Sequence, residues 1–200
     1  DNVIKLKKAG LTNALVSLPS HMEETFNRIT STTGNFQKVN IGIKNLAEAG
    51  IYTTIVYVVC SENYKSMPEY VNYLHKNFAG IDELLFFYIQ PEGLARIRKY
   101  LIPRLTDVKP YLIEAMNNCK RLNIRFRNDS QCGFPICIMT GFEDKTNLSD
   151  ILNPSEVFGE DLASFEYMQK NKRKPETCRR CFFTHACYGF WKIYMDIYGE

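Results

Sequence analysis

Short apolar runs alternate with amphipathic segments over the first two thirds of the chain. Apolar runs occupy 13–18, 51–60 and 84–90, with a shorter one at 124–127, and the middle two are largely uninterrupted. Runs this continuous are typical of strands that are covered on both faces, as in a parallel sheet. The pattern therefore predicts three strands and a shorter fourth one.

The segments between these runs have the spacing of amphipathic helices. Apolar residues recur every three or four positions over 36–49, and Gly50 follows as a helix stop. Ser66, with Glu69 three residues later, forms a capping-box pattern that opens a helix ending near residue 78. A longer helix is predicted from Thr106 to about residue 121.

This order of elements predicts an α/β fold. Strands that recur with helices between them indicate βαβ crossovers and a parallel sheet. A complete (β/α)8 barrel needs roughly 250 residues, whereas residues 1–128 hold only three or four units. We therefore expect 1–128 to form a partial (β/α) barrel or a small open sheet.

The pattern changes at residue 129. From 129 to 200, glycine, proline, asparagine, aspartate and cysteine are frequent, and one helix is predicted near 161–172. Such a composition is typical of a small region that a ligand stabilises. We therefore expect a cysteine-rich, ligand-binding subdomain over 129–200.

The composition excludes several classes of protein. Hydrophobic residues make up 45% of the chain and charged residues 24%, which excludes disorder and collagen. No apolar run approaches the ~20 residues that span a bilayer, and no signal peptide is recognised, so we expect a cytoplasmic protein without membrane contact. The net charge of +3 is too small to indicate nucleic acid as a partner.

The cysteines carry the chemistry that the sequence offers. There are seven, and their odd number and clustering argue against a disulfide framework. Cys60 lies in a predicted strand and Cys119 in a predicted helix, where thiols usually belong to the core. The remaining five are Cys132, Cys137, Cys178, Cys181 and Cys187.

Three of these have the spacing Cys178-x2-Cys181-x5-Cys187. A CxxC pair places two thiolates on one turn, and a third cysteine shortly afterwards reaches the same centre. With a fourth ligand, this set describes either a tetrahedral zinc site or a [4Fe–4S] site, and the spacing alone does not decide between them. The basic residues beside the pair, Arg179 and Arg180, favour thiolates.

The fourth ligand has three candidates. Cys132 and Cys137 both precede the trio, and a proline two residues before Cys137 gives that cysteine an extended, fixed approach. His185, between the second and third cysteine of the trio, would instead complete a Cys3His zinc site.

Several motifs resemble the radical S-adenosylmethionine (radical SAM) superfamily. The matching segments are LVSLP at 15–19, GIxxLxxAG at 42–50 and QPEG at 90–93. The GxPxC that ends at Cys137 and the CxxCx5CxGxW that begins at Cys178 are similar to the auxiliary-cluster extension called Twitch or, in its longer form, SPASM. The resemblance covers nearly all of the chain.

The resemblance implies a partial barrel that carries an auxiliary [4Fe–4S] cluster. The ligands that it implies are Cys137, Cys178, Cys181 and Cys187. It also implies that the strand ends meet the cofactor or substrate. Ser17 resembles the position that contacts the cofactor ribose, and Asn63 and Gln90 occupy positions where barrel ligands are met.

One departure limits what this chain is expected to do. Radical SAM enzymes hold their catalytic cluster on a CxxxCxxC loop, and no cysteine precedes Cys60 here. We therefore expect the C-terminal part of a longer enzyme, which alone does not cleave S-adenosylmethionine. The parent would modify a peptide or a cofactor precursor by radical hydrogen abstraction, and the edge left by missing strands would favour a homo-oligomer. The alternative function is a zinc-stabilised, non-catalytic binding module.

Overall fold

A four-stranded parallel sheet forms the centre of the protein. The computed structural model describes residues 2–129, 132–146, 166–167 and 170–199. The strands are β1 (Asn13–Ser17), β2 (Tyr52–Val59), β3 (Glu83–Tyr88) and β4 (Phe126–Asn128), and they lie side by side in chain order. All three pairings are parallel. The predicted α/β fold with a parallel sheet is thus confirmed, with strand ends shifted by up to two residues.

Seven helices accompany the sheet in the described part of the chain. They are α1 (Asn2–Lys8), α2 (Glu23–Thr30), α3 (Phe36–Glu48), α4 (Met67–Asn77), α5 (Gly93–Ile97), α6 (Leu105–Arg121) and α7 (Lys192–Tyr198). The three predicted helices correspond to α3, α4 and α6. The short helices α2 and α5 were not expected, because neither is long enough for a helical period to stand out. The helix predicted near 161–172 lies largely outside the described residues.

One face of the sheet packs against helices. Alternate residues of a strand point to opposite faces, and Ile55 and Tyr57 of β2 share a face with Leu84 and Phe86 of β3 according to the register. Side chains of this face join one hydrophobic core with apolar residues of α3, α4 and α6. The largest part of the core therefore lies between the sheet and these three helices.

The opposite face of the sheet is open. Leu15 and Tyr52, neighbours on this face, are 65% and 37% exposed. A cavity of about 890 Å³ lies over the amino-terminal half of this face, and among the described residues no α-helix contributes to its lining. On the outer side, β1 has no strand partner in the described part of the chain. The sheet thus has helices on one side and an accessible surface on the other.

The C-terminal region packs onto the same core. Phe134, Met139 and Trp191 belong to the hydrophobic core of the sheet. The hydroxyl of Tyr194 accepts a hydrogen bond from the backbone N–H of Leu105 at 3.1 Å, which fixes α7 against the start of α6. A two-stranded antiparallel ribbon, β5 (Lys172–Arg173) and β6 (Phe190–Trp191), precedes α7. No described helix is long and apolar enough to cross a bilayer.

Candidate functional site

The strand-end residues that the sequence singled out lie along one edge of the sheet. Ser17 ends β1, Asn63 follows β2, and Gln90 follows β3. Because the strands are parallel and adjacent, their carboxyl ends meet at that edge. A cavity of about 960 Å³ opens there, and of the three residues only Gln90 lines it. Ser17 is exposed at the end of the sheet's open face.

Asn63 is buried and satisfied by the backbone around it. Its side-chain oxygen accepts a hydrogen bond from the N–H of Cys60 at 2.8 Å, and its amide nitrogen donates to the carbonyls of Pro19 and Val58, both at 2.8 Å. Only 2% of Asn63 is exposed. These hydrogen bonds make Asn63 a residue that holds two loops together, and its predicted contact with a cofactor stays a prediction.

Gln90 faces a thiol in the strand-end cavity. Its amide nitrogen donates to the Sγ of Cys132 at 2.8 Å, and both residues line the cavity. The backbone of Cys132 is fixed on both sides, by its N–H to the carboxylate of Asp129 and by its carbonyl to the N–H of Tyr88. Burial raises the pKa of Cys132 to about 11, so this thiol is protonated at neutral pH.

Three of the four predicted cluster ligands line a second cavity. This cavity has a volume of about 400 Å³, and Cys137, Cys178 and Cys181 contribute to its wall. The aromatic side chains of Phe190 and Tyr194 contribute as well, and their rings are stacked with centroids 5.9 Å apart. The thiols thus meet beside a rigid aromatic wall.

Short turns bring the trio together. The 3-10 helix Glu176–Arg180 carries Cys178, and the N–H of Cys181 donates back to the carbonyl of Cys178 at 3.1 Å. A further 3-10 helix, Thr184–Ala186, leads to Cys187, whose Sγ accepts from the N–H of Gly189 at 3.3 Å. These turns place the trio's backbone close together even though the spacing between the second and third cysteine is long.

Gly189 is required by this geometry. Its φ of +85° lies in the region that glycine adopts readily. A Cβ at this position would lie 2.4 Å from the carbonyl oxygen of Arg173 on the neighbouring strand. Any side chain here would therefore separate β5 from β6 next to Cys187.

The fourth cysteine lies close to the other three in electrostatic terms. Burial, followed by the charges of Cys187, Cys178 and Cys181, raises the pKa of Cys137 to about 11. Cys132 belongs to the strand-end cavity and Cys137 to the cavity of the trio. His185 is exposed and lines neither cavity. Of the three candidates for the fourth ligand, the structure brings Cys137 to the trio.

The thiols do not form a ready-made chelate for one ion. All seven cysteines are reduced and lie in the described part of the chain. Among the described residues, no three or more side chains of histidine, cysteine, aspartate and glutamate are arranged so that they could hold a metal ion. The thiols share a neighbourhood that is wider than a single-ion site.

Lys172 is a residue that sequence reasoning did not single out. It is 7% exposed, and its ammonium lies 4.7 Å from the centre of the Trp191 ring. Burial lowers the pKa of Lys172 to about 8, against the opposing charges of Cys132, Cys187 and Asp129. A cation is thus buried between the strand-end thiol and the trio. Its position within a basic run of the sequence gave no sign that this one lysine is buried.

A second unexpected group lies on the open face of the sheet. Glu83 is 4% exposed at the start of β3, and its carboxylate pairs with Arg127 at 3.0 Å and Arg125 at 3.4 Å. A charged residue at the head of an apolar run is the signal that the sequence contains for this cluster.

A scan against protein-family models gave no match, and searches of curated proteins and of solved structures gave none either.

Proposed function

We propose that this chain holds an auxiliary [4Fe–4S] cluster and is part of a radical SAM enzyme. The proposed ligands are Cys137, Cys178, Cys181 and Cys187. The observation that carries the proposal is the gathering of these four thiols, from segments about forty residues apart, around one aromatic-walled cavity. Thiolates are the standard ligands of such clusters.

The spacing of the thiols favours a cluster over a single zinc ion. A Zn–S bond of about 2.3 Å puts the sulfurs of a tetrahedral site about 3.8 Å apart. In a [4Fe–4S] cluster each thiolate binds a different iron, so the sulfurs lie farther from one another. The described thiols converge without forming a single-ion group, which supports the wider arrangement.

The surroundings of the cavity suit an anionic group. Phe190, Tyr194 and Tyr198 line it and limit the access of water, which influences the potential of a cluster. The N–H of Gly189 directed at the Sγ of Cys187 stabilises a thiolate, and Lys172 supplies a buried positive charge nearby. When bound, the cluster would supply electron transfer or an anchor for substrate.

The sheet supports the partial-barrel half of the proposal. In a (β/α) barrel, helices cover the outer face, the inner face encloses the interior, and ligands bind at the carboxyl ends of the strands. Here helices cover one face, the other face is open, and a large cavity lies at the carboxyl ends. We propose that further strands pair with β1 in the parent enzyme. Hydrogen abstraction from a peptide or cofactor precursor is the proposed reaction of that parent, and this chain alone is expected to be inactive.

Anaerobic reconstitution with iron and sulfide tests the proposal. We expect a brown protein that absorbs near ~400 nm and contains about four irons and four sulfides per chain. Cys178→Ser and Cys187→Ser are expected to lose most of that absorbance. Cys119→Ser is the matched control, because this thiol is fully buried in the core and does not line the cavity. Retention of iron by the first two variants would refute the ligand assignment.

A colourless protein that binds one zinc would instead support the binding-module alternative. That outcome requires four thiols at single-ion spacing, or His185 as a ligand. His185→Ala separates these two zinc sites, because only the Cys3His site would lose its metal.

A further inference from the structure

The segment after β3 forms an exposed, rigidly anchored wall beside the strand-end cavity. It comprises α5 and the 3-10 helix Lys99–Leu101. At its end the N–H of Ser61 donates to the carbonyl of Leu101, and the hydroxyl of Tyr88 donates to the carbonyl of Pro103 at 2.5 Å. Ala95 is buried underneath. We call residues 93–101 the rim segment.

The rim segment presents large apolar side chains to solvent. Leu94 is 59% exposed, Ile97 79% and Tyr100 65%. They recur every three residues. None of the three joins the hydrophobic core of the protein or packs against its edge. Apolar groups that are clustered and exposed in this way usually mark an interaction site.

Three cations alternate with these apolar side chains. Arg96, Arg98 and Lys99 are exposed, and none of them makes an ion pair or a side-chain hydrogen bond within the described residues. Arg28, across the cavity, differs because it is already paired with Glu24 and Glu62. The rim segment therefore carries a positive charge that the described chain does not neutralise.

The rim segment also forms part of the cavity wall. Leu94, Arg98 and Tyr100 line the 960 Å³ cavity together with Gln90 and Cys132. An occupant of the rim would thus continue into the cavity at the carboxyl ends of the strands. A planar bilayer cannot enter such a concave site, whereas an extended peptide can.

We propose that the rim segment binds an acidic peptide with apolar side chains and directs it into the strand-end cavity. This deepens the proposed function, on which it rests, because it names the substrate class of the same cavity. Carboxylates of the peptide would pair with Arg96, Arg98 and Lys99. Its apolar side chains would cover Leu94 and Tyr100.

Fluorescence anisotropy with two labelled peptides tests this inference on the reconstituted chain. One peptide alternates aspartate and glutamate with leucine and phenylalanine, and the other has lysine in place of the acids. We expect the acidic peptide to bind and the basic one not to, with affinity that falls as salt rises. The double variant Arg96→Glu/Arg98→Glu is expected to weaken binding about tenfold or more, and Ile97→Ser by a smaller factor.

Helix α1 provides a matched control. It also exposes apolar side chains, Ile4 and Leu6, beside basic ones, but it lines neither large cavity of the sheet. The variant Lys5→Glu/Lys8→Glu changes the net charge by the same amount, and we expect it to bind the acidic peptide as the unmodified chain does. An equal loss in this control would overturn the proposal, since general charge would then explain binding.

Other occupants of the rim give different results. Binding to phosphatidylserine vesicles or to single-stranded DNA that is stronger than peptide binding and is lost in Arg96→Glu/Arg98→Glu would overturn the peptide assignment. Self-association that Ile97→Ser abolishes would do so too. A chain that binds the acidic peptide but remains colourless refutes the cluster and not the rim, and a brown chain that ignores the peptide refutes the rim alone.

Discussion

The side-chain amide of Asn63 donates a hydrogen bond to the carbonyl oxygen of Pro19 at 2.8 Å and so joins the loop after β2 to the loop after β1. The same side chain bonds the backbone of Cys60 and Val58. One buried amide thus fixes the carboxyl ends of two neighbouring strands, where the proposed ligand would bind.

Asn63→Ala should lower the free energy of unfolding by about 2–4 kcal/mol, because it leaves several buried backbone groups without a partner. Urea unfolding measures this loss. Asn45→Ala is the control, since Asn45 is exposed on α3, and its effect should stay within about 0.5 kcal/mol. Equal midpoints for the two variants would show that Asn63 does not hold the loops.

The Glu83 cluster should depend on its carboxylate more than on the outer arginine. Glu83→Ala should cost about 1–3 kcal/mol, since it removes the shared partner of two arginines from a buried position. Arg125→Ala should change stability by less than about 1 kcal/mol, because the Arg125 side chain is 71% exposed. Chemical denaturation of both variants tests this order, and a larger loss for Arg125→Ala would contradict it.

Stability should fall in alkaline solution. Burial raises the pKa of Cys60 to about 11 and that of Cys119 to about 12, from an ordinary value of 9.0. Above pH 9 the unfolded chain releases these protons first, so folding loses free energy between about pH 9 and pH 12. Thermal melts across this range measure the loss. The slope should decrease in Cys119→Ala, and an unchanged slope would contradict the assignment.

Gly189→Ala should prevent cluster incorporation. The added methyl group would meet the carbonyl of Arg173, and the positive φ adds about 1–2 kcal/mol of strain. Iron content after reconstitution is the measurement. Gly199→Ala is the matched control, since Gly199 also has a positive φ, of +78°, but a Cβ added there would have no atom within 4 Å. Equal iron loss in both variants would assign the effect to strain alone.

The open edge of β1 should promote self-association. We expect the average mass in light scattering to rise with protein concentration, because an unpaired strand offers backbone donors and acceptors to a second copy. Leu15→Lys, at an exposed position of this strand, should reduce the rise. A constant monomer mass over the accessible concentrations would contradict the expected homo-oligomer.

Strands and helices with strong patterns could be predicted, and weakly patterned ones could not. The runs that became β2 and β3 are long and apolar, and α3 and α6 repeat their apolar positions over several turns. Helix α5 has only five residues and exposes most of its apolar side chains, so its sequence has no buried face to detect.

The candidate site divides in the same way. Cys178, Cys181 and Cys187 are close in sequence, so their spacing alone predicts a shared centre. The choice between Cys132 and Cys137 could not be made from the sequence, because both lie about forty residues from the trio. The turns after β4 decide it, since they direct one cysteine to Gln90 and the other to the trio.

The sequence by itself determined the α/β class, the parallel pairing and a cysteine trio suited to iron or zinc, because hydrophobic period and ligand spacing are local properties of a chain. Only the tertiary structure decided which face of the sheet is open, which fourth cysteine joins the trio, and that Lys172 and Glu83 are buried. Those outcomes depend on contacts between segments far apart along the chain, and such contacts form only when the core packs.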